Sequence, residues 1–289
     1  MKKQEMKKKK NSTNKALFWN RRRRVLLGMT LSILILLGIC IGGFFCKELA
    51  LETDFSRKNI APCLTYLFGT DWLGRNMIAR TLRGLSISIF LGIISAGISA
   101  IIALVLGTIS ATMGKTADAM VSFCIDWLMG IPHILLLILI SVALGKGFRG
   151  VAVGVALTHW PSLARVIRGE ILQLRESPYI QIAEKLGKSK WYLIRKHMLP
   201  HVMPQFFVGL VLLFPHAVLH EASVTFLGFG LSSEQPAIGV ILSEAMRYLV
   251  TGQWWLAVFP GLLLVAVVGM FYGIGDGLRK LTSPGSAHE

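Results

Sequence analysis

Residues 25–46 read VLLGMTLSILILLGICIGGFFC, 22 residues with no charge among them. About 20 apolar residues suffice for a helix to cross the hydrocarbon core of a bilayer. In lipid every backbone polar group must be bonded internally, which restricts a chain of such runs to helices or a closed barrel. Five more runs follow, at 85 to about 113, about 121–144, about 148–164, about 202–219, and 254–274. The second carries Gly92, Ser95, Ala96, Gly97, Ser99, Ala100 and Ala103, small residues that let helices approach closely in lipid. The third holds Asp126 near its start. The fourth is short and broken at its end by His159, Trp160 and Pro161, and the fifth contains Pro204 and Pro215. The sixth opens with Trp254 and Trp255, a pair suited to a membrane interface. The expectation is an all-α polytopic membrane protein with about six transmembrane helices.

Six crossings place both tails on one side. The segment 1–24 holds eleven Lys and Arg, the turn near Lys115 one, residues 165–196 eight, and the C-terminal tail Arg279 and Lys280. One face therefore carries 22 of the 31 basic residues and the other nine, and the richer face is cytoplasmic by the positive-inside rule. The predicted organisation is a basic cytoplasmic tail (1–24), a first transmembrane helix (25–46), an extracellular loop (47–84), a five-helix core (85–275) with a cytoplasmic connection (165–204) inside it, and a cytoplasmic tail (276–289).

Composition agrees. Hydrophobic residues make up 53% and charged residues 16% of 289, too little charge to cover a soluble two-domain enzyme of this length. The same figures exclude disorder, a collagen repeat and a disulfide scaffold. The net charge of +16 would suggest nucleic acid in a soluble protein. Here KKKK and RRRR precede a transmembrane run, where basic residues hold orientation and attract anionic lipid, so no nucleic-acid partner is expected. The first run exceeds the apolar region of a signal peptide, and Phe44 and Phe45 precede Cys46 where cleavage prefers small residues. The four Cys have no metal-like spacing; Cys46 and Cys63 share the outer face, and free thiols are expected.

Catalytic signatures are missing. Gly114-Lys115-Thr116 and Gly187-Lys188-Ser189 resemble the end of a phosphate-binding loop, but Ile109 and Ile182 stand where its first glycine is required. This chain is therefore expected to bind no ATP and no cofactor. His220-Glu221 begins a zinc-protease pattern that Val224 ends, and no G-x-S-x-G elbow occurs.

The connection at 165–204 is longer than two antiparallel helices need. Ser177 and Pro178 suit an N-cap and first turn, and Gly187 a C-terminal cap. Tyr179, Ile182, Ala183 and Leu186 form an apolar stripe at i, i+3, i+4 and i+7. Ser189 opens a second short helix that Pro200 is expected to end. Such an amphipathic helix either lies on the membrane surface or docks into a groove of a soluble partner.

This segment resembles the cytoplasmic "EAA" loop of ABC-importer permeases, with Gln181-Ile182-Ala183, Gly187 and Leu199-Pro200 at the family spacing. The family's Glu and first Ala are replaced. Within that superfamily the chain is similar to the second of the two paired permeases of the dipeptide/oligopeptide/nickel branch. Four stretches carry that likeness: GTDWLGRN at 69–76, HMLPHVMP at 197–204, EASVTFLGFG at 221–230 and GDGLRKLTSP at 275–284. Asn76 stands for a usual Asp. The motif positions are Gly69, Thr70, Asp71, Gly74, Arg75, Leu199, Pro200, Gly228, Gly275 and Asp276.

The resemblance implies a type I importer-permease bundle with a cytoplasmic coupling helix, in the bacterial cytoplasmic membrane. It implies a heterodimer with a homologous permease, two cytoplasmic ATPase subunits that use ATP and magnesium, and an extracellular solute-binding protein. The cargo would be a small peptide, nickel or a metal chelate. Tyr179, Gln181, Ala183, Leu186 and Gly187 would form the ATPase contact.

Polar residues at membrane depth are candidate substrate contacts. His216 and His220 share a helix face, and Glu221 follows. Two imidazoles and a carboxylate suit a metal or metal chelate; an interfacial cluster bonded to neighbouring helices is the other reading. His133, beside Pro132, reads as a packed or pore-adjacent helix break. Two other classes compete with the importer: a stand-alone secondary transporter, which calls for internal repeats, and an intramembrane hydrolase.

Overall fold

The computed structural model describes residues 2–282, with side chains described from Arg22 onward. The terminal residues 283–289, and the basic side chains before Arg22, lie outside the described part. Helix α1 is Lys2–Phe45. Its stretch Arg22–Phe45 is long and apolar enough to cross a membrane, as are four later helical stretches. These are α2 (Met77–Thr112), α5 (Gly147–Arg175), the Lys190–Phe226 stretch and α10 (Trp255–Thr282). The run expected to give the third crossing is not one straight helix: α3 (Lys115–Gly130) and α4 (His133–Ala143) meet at 96°, the geometry of a broken span or a re-entrant loop. Pro132 has no N–H to continue the ladder, which forces the break that the run at 121–144 concealed.

Three expected boundaries move. His159, Trp160 and Pro161 do not interrupt the fourth span, because α5 runs through them to Arg175. A proline's lost bond is tolerated where helices pack around it, and all three residues are buried. The connection expected at 165–204 is shortened accordingly. Pro200 does not end a helix either. After α6 (Pro178–Lys185), α7 (Lys190–Leu193) passes through a π-turn (Ile194–Met198) into α8 (Leu199–Phe226) as one continuous stretch, and the π-turn just before Pro200 accommodates its missing N–H. At the outer side α2 begins at Met77, inside the stretch expected to be loop. Its cap is Asn76, whose Oδ1 accepts from the amides of Ile78 and Ala79 at 2.9 and 3.4 Å.

Helix α5 is the most enclosed span and α1 the least. α1 presents Leu27, Leu31, Leu34 and Leu37 outward, as a lipid-facing helix should, and packs through Leu36, Ile39 and Gly43. At Gly43 a side chain would lie 2.6 Å from the Leu82 carbonyl of α2. The small residues of α2 do the same on its other faces. Gly92 lies against Val218 of α8 and Gly107 against the Ala164 carbonyl of α5, while Ser95, Ala96, Ser99, Ala100 and Ala103 are buried. Gly97 is the exception and has no neighbour within 4 Å of an added Cβ. A second apolar region joins α1, α2, α8, α9 (Ile238–Leu249) and α10.

The outer segment is ordered by its polar residues. Thr70 and Asn76 form an isolated antiparallel bridge. Thr70 Oγ1 donates to the Arg57 carbonyl and accepts from the Ile60 amide. Asp54 accepts from the amide and hydroxyl of Ser56 at 3.0 and 2.6 Å, bonds that hold its carboxyl below the ordinary range. All four cysteines are free thiols.

Candidate functional site

Two places gather the residues that the sequence singles out. The first is the end of the bundle that carries α6 and α7. Arg175 closes α5 by donating from Nη1 to the Ala111 carbonyl of α2 at 2.6 Å. Ser177 then caps α6 positionally, although its hydroxyl donates back to the Leu174 carbonyl. Gly187 takes φ +80°, the left-handed conformation its capping role requires. Ser189 Oγ accepts from the Tyr192 amide and caps α7.

Between these caps α6 has two unlike faces. Ile180 is 2% exposed, held in the core with Leu193 and Ile194. Tyr179, Ile182 and Leu186 are 48%, 58% and 74% exposed. Ala183, on the edge of the stripe, packs against the core. Gln181 is exposed, its Nε2 donating to the Glu176 carbonyl at 3.3 Å. The apolar stripe read from the sequence therefore points outward, and the residue that anchors the helix is one the stripe omitted. Leu199 is half-buried where the π-turn enters α8, and Pro200 is exposed.

The second place is a cavity of about 710 Å³ lined by the α3–α4 break, α5 and α8. His133, His159, His216 and His220 line it. The ring centroids of His133 lie 4.5 Å from His159 and 4.4 Å from His220, and those two lie 5.1 Å apart. One ring nitrogen from each can be chosen so that all three are within 4.8 Å of one another. His216 lies one helical turn from His220, with Nε2 3.2 Å from the Tyr272 hydroxyl.

The expected trio of His216, His220 and Glu221 is thus divided. Glu221 is fully buried, does not line the cavity, and accepts from Thr225 Oγ1 at 3.0 Å. Successive helical residues are about 100° apart, so a neighbour in sequence faces elsewhere. The sequence singled out His159 only as an interruption of the fourth run and His133 as a packed or pore-adjacent helix break. Both were polar residues at membrane depth, the signal that could have found them.

The remaining motif positions hold the frame. Asp71 accepts from Arg75 Nε at 2.7 Å and Arg80 Nη1 at 2.6 Å, and Arg80 Nη2 reaches Glu244 of α9 at 2.9 Å. Gly69 and Gly74 take positive φ on either side of Asp71. Gly228, also at positive φ, turns the chain after α8, so that the carbonyls of Phe229 and Gly230 accept from Ser141 Oγ and the Gly147 amide. This turn ties α8 to the α4–α5 junction. Gly275 lets α10 approach Leu212 of α8, and Asp276 is exposed and paired with Lys280.

Comparison with known proteins decides what this frame is. Residues 103–280 match the family described as binding-protein-dependent transport system inner membrane component, more than half of the chain. The chain belongs to that family. It is an ABC-importer permease of the dipeptide/oligopeptide/nickel type. It is 30% identical over 269 residues to the dipeptide transport system permease protein DppC of Bacillus subtilis, covering 92% of this chain and 84% of the relative. It is 33% identical over 264 residues to a putative peptide transport system permease protein of Brucella suis, covering 91% and 88%. Similarity to the oligopeptide permease protein OppC of B. subtilis is 30% over 259 residues, covering 90% and 85%.

The permease fold is that of solved importers. An inward-facing structure of the MetNI methionine ABC transporter superposes with a TM-score of 0.60 at 20% identity, covering 72% of this chain and 98% of that one. A structure of an amino acid ABC transporter gives 0.52 at 18% identity, covering 72% and 94%. The permease is a multi-pass protein of the bacterial cytoplasmic membrane.

Proposed function

We propose that this permease is the translocation subunit of an ATP-driven importer, paired with a homologous permease, two cytoplasmic ATPase subunits and an extracellular solute-binding protein. The observation that carries this reading is the exposed stripe of Tyr179, Ile182 and Leu186 on a helix anchored by Ile180. Large apolar side chains held out on a capped, seated helix suit insertion into a partner's groove. ATP-driven closure of the ATPases would push α6, and the push would reach the spans through Ile180 and the Arg175–Ala111 contact. The partners bind ATP and magnesium; this chain supplies two states and the coupling contact. The cargo class is a small peptide, nickel or a metal chelate, because the relatives are peptide permeases and the cavity presents imidazoles. Gln181 gives a neutral contact where the family pattern has a carboxylate.

The test is co-assembly. The chain, expressed with its paired permease and ATPases, should purify as a complex and take up solute from the loaded binding protein only with ATP. Ile182→Asp and Leu186→Asp should each release the ATPases while leaving the permease pair intact. Uptake driven by an ion gradient in the absence of ATPase would overturn the reading.

A further inference from the structure

We propose that His133, His159 and His220 form a three-imidazole site for a divalent first-row transition-metal ion on the wall of the cavity. The inference rests on the permease reading and narrows its cargo to the metal-containing kind, a bare ion or a labile complex.

Three observations carry it. The residues come from three different elements: the first turn of α4, the middle of α5 and the outer third of α8. Residues this far apart in sequence meet only because the spans converge, and the convergence lines a cavity large enough for a small chelate. Second, the tautomer of His159 follows from its partners. Its Nδ1 lies 2.9 Å from the Val155 carbonyl, which can only accept, so Nδ1 carries the proton. That leaves the Nε2 lone pair for a ligand, the arrangement in which metal-binding histidines have their other nitrogen bonded to a backbone carbonyl. Third, Nε2 of His159 and Nε2 of His133 are buried and find no hydrogen-bond partner in the chain. Buried polar atoms without partners are uncommon and need a reason; a shared cation provides one for both.

The chemistry selects the ion. Neutral imidazoles suit nickel, copper, zinc and cobalt, and suit calcium and magnesium poorly. A tetrahedral ion with bonds of about 2.0–2.1 Å needs its nitrogens roughly 3.4 Å apart. From a separation of at most 4.8 Å, the nitrogens must therefore close by up to about 1.4 Å. No carboxylate lines the cavity to neutralise the ion. The site should hold its metal loosely, as a station on a pathway must. His133 is the first helical residue after the 96° break, so a change in that bend alters the site directly.

The experiment uses the full chain in lipid nanodiscs, purified through a tag without histidine, and titrates it with Co²⁺. The expected result is one Co²⁺ per chain with the visible absorption of a nitrogen-ligated, low-symmetry ion. Replacing His133, His159 or His220 with Gln should weaken binding at least tenfold, the loss that removal of even an outer partner brings. His201→Ala, an exposed histidine away from the cavity, should bind as the wild type does. Absence of the Co²⁺ bands in the wild-type chain, or their survival in all three Gln variants, overturns the site whether or not any one variant folds.

A second arm separates this result from the permease reading. ATP-driven uptake of solute is measured with the complete complex in proteoliposomes. If uptake persists and wild-type Co²⁺ binding is absent, the metal site falls and the permease stands. If Co²⁺ binds and uptake needs no ATPase, the site stands and the coupling reading falls.

Discussion

Asp71 Oδ2 and Arg80 Nη1 lie 2.6 Å apart, on side chains that are 0% and 1% exposed. Arg75 and Glu244 complete a cluster of two cations and two carboxylates between the outer segment, α2 and α9. Removing one member leaves a buried charge uncompensated, which costs about 3–5 kcal/mol. Asp71→Asn should therefore lower the thermal midpoint of the purified chain sharply. Adding Arg80→Met should cost less than the sum of the two single changes, by about 1 kcal/mol or more. Additive losses would show that the pair is not coupled.

Gly74 supports the same cluster from the backbone. It sits at φ +76°, and a Cβ there would fall 1.8 Å from the Asp54 carbonyl oxygen. Gly74→Ala should destabilise the outer segment, and limited proteolysis between 47 and 76 should become faster. Gly97→Ala, in a helix with open space around the added methyl, should leave the protease pattern unchanged.

The two faces of α6 should separate by mutation. Ile180→Ala empties a buried position and should cost about 2–4 kcal/mol of chain stability. Leu186→Ala should change stability by less than about 0.5 kcal/mol, as an exposed substitution does. It should weaken ATPase capture by roughly 30-fold if Leu186 is an interface anchor, the equivalent of about 2 kcal/mol. Pull-down with the ATPases and thermal unfolding of the chain measure the two effects independently.

Asp126 and Arg165 are joined as an ion pair, and both side chains are about half exposed or more. Water and salt screen such a pair, so it contributes under about 1 kcal/mol. Asp126→Asn should shift the unfolding midpoint little, and raising salt should narrow even that difference. A large loss would show that the membrane interface shields the pair.

Asp126 also shows how much could be read in advance. The sequence showed it as a charge near the start of the third run, and the fold supplies Arg165 of α5 as its partner. The caps of α6 and α7 were local: Ser189 caps through its hydroxyl, Gly187 through its positive φ, and Ser177 by position alone. Pro161 and Pro200 were read too strictly. A proline breaks an isolated helix, whereas neighbours compensate it inside α5 and the π-turn ahead of α8 accommodates it at Pro200.

By itself the sequence determined that this chain crosses a membrane several times and where a two-faced helix interrupts the spans, and it predicts by the positive-inside rule which face is cytoplasmic. Those properties follow from the length of uncharged runs, the placement of Lys and Arg, and a 3.6-residue repeat, all of them local. Glu221 parts from His220 and meets Thr225 within the single helix α8, but only the tertiary structure decided that His133 and His159 join His220. Neighbours within one helix are set by the turn of the backbone; neighbours across helices are set by which small residues let the spans close on one another. Nothing in the order of residues states that closure, so the histidine cluster became legible only when α4, α5 and α8 met around the cavity.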